Sequence, residues 1–299
     1  MTENIPFENA LQQFTQELTG RNMSALTITA YGTDIKQFIT FLQKNDFTIT
    51  SCDKITKQEI NDFLNHLAEQ GRSGVTRARK LAAIKEFFEF LVSSSVIPLS
   101  PAKDMNMPIR EKKQRVYLRP DEYIKLLSAS GGNPRDYAIL QLFLQTGIRV
   151  GELVELKTSD IDLGQKTMTI LSGKGKKERI IDLEKRGLQA LKSYLNIRQT
   201  LEDGVTDDHL FLNYQGEGIS DRGVKKIIEK YSKLSGIQKK ISCHSLRHTF
   251  GTYKAERGVS AFQLQQWLGH SSIQTSAIYV HMTRTPQSRK IMENTSLPS

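Results

Sequence analysis

The chain has 299 residues, enough for two ordinary domains that each bury a core of their own. Hydrophobic residues make up 38% and charged residues 25%, a balance that excludes a disordered or membrane-embedded chain. The formal net charge of +10 favours a polyanionic partner, nucleic acid before an acidic membrane surface, although many basic proteins bind nothing anionic.

Cys52 and Cys243 lie far apart and outside any CxxC pattern. Neither a disulfide framework nor a cysteine-ligated zinc is expected, and a reducing cytosol fits this usage. Residues 1–6 lack the basic and then apolar order of a secretory signal. The longest apolar run, 137–144, contains Gln141 and falls far short of the roughly 18 residues that span a bilayer. A soluble, cytoplasmic protein without a membrane partner is expected.

From residue 5 to about 96 the pattern is helical. Across 24–42, Ile28, Tyr31, Ile35, Phe38 and Leu42 recur at steps of three and four, one stripe of an amphipathic helix. A second helix over 57–70 turns Ile60, Phe63, Leu64 and Leu67 inward, and Gly71 and Gly74 then break the chain. The next carries Leu81, Ile84, Phe88 and Leu91 on one face, with Arg77, Arg79, Lys80 and Lys85 crowding its first half. Those bases suit contact with phosphates or a solvated face.

Pro98, Pro101 and Pro108 forbid a continuous helix over 97–116. The basic run Arg110, Lys112, Lys113 and Arg115 within it suits either a phosphate-tracking linker or a soluble tether. The expected division is a front helical domain over 1–100, a basic linker over 101–116 and a second domain over 117–299. In the second domain, Pro120, Asp121 and Glu122 make a favourable first helical turn. Helices are expected near 120–129 and 135–145, then a hairpin with strands over 166–171 and 179–183, then helices with short loops over 184–293. The fold class is therefore mainly α, with a small antiparallel β-sheet in the second domain.

The chemistry concentrates in 244–279, where His244, Arg247 and His248 are followed by Gly269, His270 and, nine residues on, Tyr279. Upstream stand Arg149 in Thr146-Gly147-Ile148-Arg149-Val150-Gly151-Glu152-Leu153 and Lys174 between Gly173 and Gly175. A tyrosine has a pKa near 10, so only about one phenol in a thousand is ionised at neutral pH, and attack needs a proton acceptor or nearby cations. Two guanidiniums that grip non-bridging phosphate oxygens match the charge that develops during attack on a phosphodiester. A lysine on a hairpin turn suits protonation of the departing sugar oxygen.

Singly these residues say little. The nine tyrosines are mostly core or surface, and the lysines of the turn, Lys174, Lys176 and Lys177, are equally solvated charges. His244 and His248 stand at i, i+4 without a HExxH glutamate or a third ligand, so no metal is expected. Trp267 reads as a packing residue. Together, in this order and spacing, the motifs resemble the tyrosine recombinases, or phage integrase family, and in particular the bacterial Xer-type site-specific recombinases. The resemblance covers nearly the whole chain, front domain and linker included.

The resemblance implies a SAM-like, core-binding front domain and a catalytic domain that cuts and rejoins DNA through a covalent 3′-phosphotyrosyl intermediate and a Holliday junction. It implies Arg149 and Arg247 as phosphate-binding residues, with His244 as a proton acceptor and phosphate contact and His270 as a hydrogen-bond donor to the phosphate. Lys174 would protonate the 5′ leaving oxygen, Tyr279 would be the nucleophile, and Glu152 would support Arg149 from one helical turn away. His248 is assigned a structural role, and Cys243 stands where many relatives have a proline. Arg77, Arg79, Lys80, Lys112, Lys113 and Arg115 are the candidate DNA-binding residues. No cofactor, metal or ATP is implied.

The implied partners are double-stranded DNA carrying a specific site and a tetramer, either of this chain alone or with a second recombinase. The last helices, including 288–293, would dock on a neighbouring protomer or simply form a fraying tail. Resolution of chromosome or plasmid dimers and integration of mobile elements all fit this framework. A type IB-like topoisomerase and a silent DNA-binding accessory protein are the alternatives.

Overall fold

The computed structural model describes residues 5–45, 51–109, 111, 115–171, 178–200, 207–270 and 272–283. The chain divides into two compact units, Met1–Lys113 and Gln114–Ser299.

The first unit consists of four α-helices among its described residues: α1 (Phe7–Gly20), α2 (Ala25–Lys44), α3 (Lys57–Glu69) and α4 (Gly74–Ser93). Hydroxyl caps start three of them. Ser24 accepts from the Thr27 N–H, Thr56 forms a capping box with Glu59, and Ser73 accepts from the Thr76 N–H. Phe14, Phe38, Phe63, Phe87 and Phe88 fill the core, with Phe14 and Phe87 edge to face at 5.3 Å and Phe38 and Phe63 tilted at 51°, 5.2 Å apart. The stripe on α2 is buried at Ile35, Phe38 and Leu42, while Ile28 and Tyr31 are partly covered.

One feature of this unit corrects the sequence reading. Lys80 is only 5% exposed, and its Nζ donates to Asp34 Oδ1 at 2.7 Å and also to Gln37 Oε1. Arg79 bonds the other oxygen of the same buried carboxylate but keeps nearly half of its side chain exposed. Lys80 is thus an internal counterion that a phosphate cannot reach, because a buried carboxylate must be paired. Arg77 is half-buried, and its Nε has no partner among the described residues.

The second unit opens with α5 (Pro120–Ser130) and α6 (Pro134–Thr146), each with proline in its first turn. Helix α6 is buried almost continuously from Ala138 to Thr146 and packs against α5, α8 (Lys185–Thr200), α9 (Asp221–Leu234) and α10 (Cys243–Glu256). Its apolar residues point in all directions, and its buried polar side chains Gln141, Gln145 and Thr146 are hydrogen-bonded within the helix, as a central helix requires. The short α7 (Val150–Val154) follows it, then a three-stranded antiparallel sheet of β1 (Ile161–Asp162), β2 (Thr167–Leu171) and β3 (Glu178–Asp182), in that order. The register pairs Met168 with Ile181 and Ile170 with Arg179. The chain ends, among the described residues, with α11 (Ala261–Leu268) and α12 (Ile273–Thr283). No helix among the described residues is long and apolar enough to cross a membrane.

Candidate active site

Helix α10 supplies most of the site. Ser242 caps it by accepting from the Ser245 N–H, and Cys243 is its first helical residue, a position that also suits proline. His244, Arg247, His248 and Gly251 then fall at i, i+3, i+4 and i+7 along one face. The other contributors arrive at helix ends. Gly147 ends α6 in the left-handed region at φ 61° and swings the chain so that Arg149 caps α7; Gly269 ends α11 the same way at φ 62°.

The end of α11 gathers three arginines. Its last carbonyls have no partner within the helix and carry the negative end of the dipole. Arg179 Nε donates to Trp267 O at 3.0 Å, Arg247 Nη2 to Leu268 O at 2.6 Å, and Arg149 Nη2 to Gly269 O at 2.5 Å. Arg247 also donates through Nη1 to Gly147 O at 2.6 Å, which ties the α6 turn to the same corner. Burial, and then the neighbouring Arg149, push Arg247 down to about 10, so it stays a cation at neutral pH.

Glu152 is the counterweight. Arg179 grips it with both terminal nitrogens, at 2.9 Å to Oε1 and 2.7 Å to Oε2, while Arg149 donates its Nη1 to Oε1 at 2.7 Å and its backbone N–H to Oε2 at 2.9 Å. Burial alone raises this carboxyl, but the hydrogen bonds from Arg179 and Arg149 override it and hold the group at about 2. Glu152 therefore remains ionised and fixes the direction of Arg149. Arg179 was missed in the sequence, where it reads only as a strand residue.

Tyr279, on α12, is 1% exposed. Its ring lies over Gly251, where a methyl group would stand 2.7 Å from Cε1 and Cζ. The hydroxyl is 2.7 Å from His248 Nδ1. His248, given a structural role in the sequence reading, stands one turn of α10 before Gly251 and meets the phenol hydroxyl directly. Arg115 sits with its guanidinium carbon 5.9 Å from the phenol centre. The segment after it is pinned to α10, since Leu118 N–H donates to Thr249 Oγ1 at 2.9 Å and Tyr253 donates to Leu118 O at 3.0 Å. Burial raises the Tyr279 pKa, and Arg247 and Arg115 offset that only in part. The phenol is held protonated.

His270 lies parallel to the Tyr279 ring, with centroids 6.4 Å apart, and its Nδ1 is 2.8 Å from the buried Ser276 hydroxyl. Burial and the arginines around them push His248 and His270 down to about 4, so both are neutral at pH 7. His244 is exposed, its ring 6.5 Å from that of His248. Trp267 packs on Phe250 in the cluster that also covers Tyr279.

The structure thus brings Arg149, Glu152, Arg247, His270 and Tyr279 together with His248, with Arg115 from the candidate DNA-binding set, and with Arg179, which the sequence reading did not name. Lys174, Lys176 and Lys177, the linker bases Arg110, Lys112 and Lys113, and the 288–293 helix lie outside the described residues. Asp207, Asp208 and His209 bring ligand atoms within 4.8 Å of one another. Asp207 already accepts from the N–H groups of His209 and Gly218, and Asp208 pairs with Lys157, so this group serves the loop it stands on.

Known proteins resemble both parts of the chain. Residues 116–285 match the model of the phage integrase family, and residues 11–95 match its N-terminal SAM-like domain. The tyrosine recombinase XerD of Halalkalibacterium halodurans is 38% identical over 283 residues, covering 93% of this chain and 94% of the relative. The tyrosine recombinase XerC of Thermodesulfovibrio yellowstonii is 36% identical over 267 residues, covering 87% of this chain and 86% of the relative. Among solved structures, XerA recombinase superposes with a TM-score of 0.56 at 32% identity, covering 97% of this chain and 99% of that one. A lambda integrase tetramer bound to a Holliday junction shares the fold with a TM-score of 0.75 at 21% identity, covering 93% of this chain and 78% of that one. The chain belongs to the phage integrase family, among its tyrosine recombinases.

Proposed function

We propose that this chain is a site-specific DNA recombinase whose nucleophile is Tyr279. The observation that carries the assignment is the Tyr279 hydroxyl 2.7 Å from a proton acceptor, His248 Nδ1, with the guanidinium carbon of Arg115 5.9 Å from the phenol centre. A phenol so placed suits in-line attack on a phosphodiester. Its Oη–P bond forms, the P–O5′ bond breaks, and the strand is held as a 3′-phosphotyrosyl ester.

Arg149 and Arg247 grip the non-bridging oxygens in this scheme. Each spends donors on the carbonyls of the α11 end and keeps others for the phosphate. His244 and His270 add hydrogen bonds to the phosphate, and Lys174 protonates the 5′ oxygen. Attack by a 5′ hydroxyl of a second duplex reverses the chemistry and joins new partners, so bond energy is conserved without ATP. Two such exchanges through a Holliday junction need four protomers, supplied by this chain alone or with a second recombinase.

The front domain over 1–100, the linker over 101–116 and the catalytic domain over 117–299 share the duplex. Arg77, Arg79, Lys112 and Lys113 serve as phosphate contacts, and the basic chain acts in the cytoplasm where its DNA lies. The test is a nicked suicide duplex carrying the footprinted site, mixed with the full chain without metal. A covalent adduct and recombinant products are expected. Relaxation of plasmid without recombinants would indicate a topoisomerase instead, and binding without an adduct would indicate an accessory protein.

A further inference from the structure

We propose that His248, through Nδ1, accepts the phenolic proton of Tyr279 as cleavage begins. The inference rests on Tyr279 being the nucleophile and adds the residue that receives its proton.

The geometry singles out His248 from three histidines. The imidazole of His270 lies parallel to the phenol, 10° between planes, and an imidazole accepts in its own plane and not through its face. Its Nδ1 is also engaged by Ser276 Oγ at 2.8 Å. His244 is exposed at the start of α10 and faces His248 edge to face, one turn further from the phenol. His248 alone among these holds Tyr279 Oη at hydrogen-bond distance, 2.7 Å through Nδ1.

Arg115 holds its guanidinium carbon 5.9 Å from the phenol centre, a cation beside the ring that favours loss of the phenolic proton. The groups facing His248 are Arg115 from the segment before α5, His244 and Arg247 on its own helix, and Tyr279 from α12. Burial first, and then the two fixed cations among them, keep the imidazole neutral and able to accept a proton. Gly251 completes the arrangement, because a side chain there would lift the phenol off α10 and away from His248.

Atoms and charge balance. The Oη–H bond breaks and Nδ1 gains the proton while the Oη–P bond forms. The P–O5′ bond then breaks, the 5′ oxygen is protonated by the acid of the site, and His248 remains as imidazolium. Religation runs the same steps backwards and returns the proton to Tyr279. A phosphodiester bound beside the imidazolium supplies the anion that stabilises it.

The test uses full-length His248→Asn and His248→Ala with a nicked suicide duplex bearing the footprinted site. Asparagine places a hydrogen-bonding atom near Nδ1 but cannot take up a proton at neutral pH. Both variants should bind the duplex with unchanged affinity and form the adduct about a hundredfold more slowly. Their rates should climb by about tenfold per pH unit as the phenol ionises unaided, while the wild-type rate levels off. Imidazole in solution should restore part of the rate of His248→Ala. Wild-type rates in His248→Asn overturn the proposal, as does a loss that is the same at every pH and unrelieved by imidazole. Tyr279→Phe, run alongside, separates the two ideas: an adduct in that variant removes the nucleophile assignment, whereas its absence beside an unaffected His248→Asn removes only the role of His248.

Discussion

Arg179 on β3 and Glu152 on α7 form a two-pronged ion pair, each terminal nitrogen of the guanidinium on its own carboxylate oxygen, at 2.9 and 2.7 Å. The pair is nearly buried, with side chains 12% and 8% exposed. Removing one partner leaves a charge in a poorly solvated place, so Arg179→Ala should cost about 3 kcal/mol in chemical denaturation. Lysine cannot reproduce the fork, and Arg179→Lys should fall between. Adding Glu152→Gln to Arg179→Ala should recover part of the loss, and a double-mutant cycle measures that coupling.

The phenol slot predicts an equally local effect. In Gly251→Ala the new methyl group meets the Tyr279 ring at 2.7 Å, and neither a helix backbone nor a buried ring yields easily. A loss of about 1–3 kcal/mol is expected. Truncating the obstacle should restore it, so Gly251→Ala with Tyr279→Ala should melt no lower than Tyr279→Ala alone.

Acid should unfold this protein through its histidines. His248 and His270 sit near 4 in the folded state against an ordinary 6.5. Between those values the unfolded chain binds protons that the folded chain refuses, so stability falls as pH drops from 6.5 to 4. With both residues contributing, the slope should approach about 2.7 kcal/mol per pH unit. Glu152, held at about 2 against 4.5, extends the loss below pH 4.5, as its paired charge is neutralised. Denaturant melts across this range measure the slope, and His248→Gln should roughly halve it above pH 4.5.

Lys80 and Arg79 should behave differently despite being neighbours. Lys80→Ala leaves Asp34 with one partner in a buried place and should lower stability by about 3 kcal/mol. Arg79→Ala should cost less stability and instead flatten the dependence of DNA affinity on salt, because an exposed base releases counterions when it meets a phosphate.

The elements were legible in the sequence wherever local rules decide them. The stripe on α2, the prolines that open α5 and α6 and the glycine at 147 act through neighbours a few residues away. Strand β1 was not legible, because two residues carry no periodicity and Ile161–Asp162 is a strand only by pairing with Thr167 and Met168. Nor was the burial of Lys80, which depends on a carboxylate 46 residues earlier.

The site divides the same way. Arg149, Arg247, His270 and Tyr279 stand in motifs whose spacing is itself the signal. Arg179 has no such spacing: it reaches Glu152 because the β2–β3 register places it opposite Ile170, beside the end of α11. His248 follows Arg247 in the motif, but its partner is set by how α12 docks on α10, a packing decision the order of residues does not display.

The most direct measurement is covalent capture with Tyr279→Phe, which removes one oxygen and leaves the ring on Gly251. On a nicked duplex bearing the footprinted site, this variant should bind as tightly as the parent chain and leave no protein–DNA adduct on a denaturing gel. An adduct of the parent's size and yield from Tyr279→Phe would contradict the account, since some other side chain would then be attacking the phosphate.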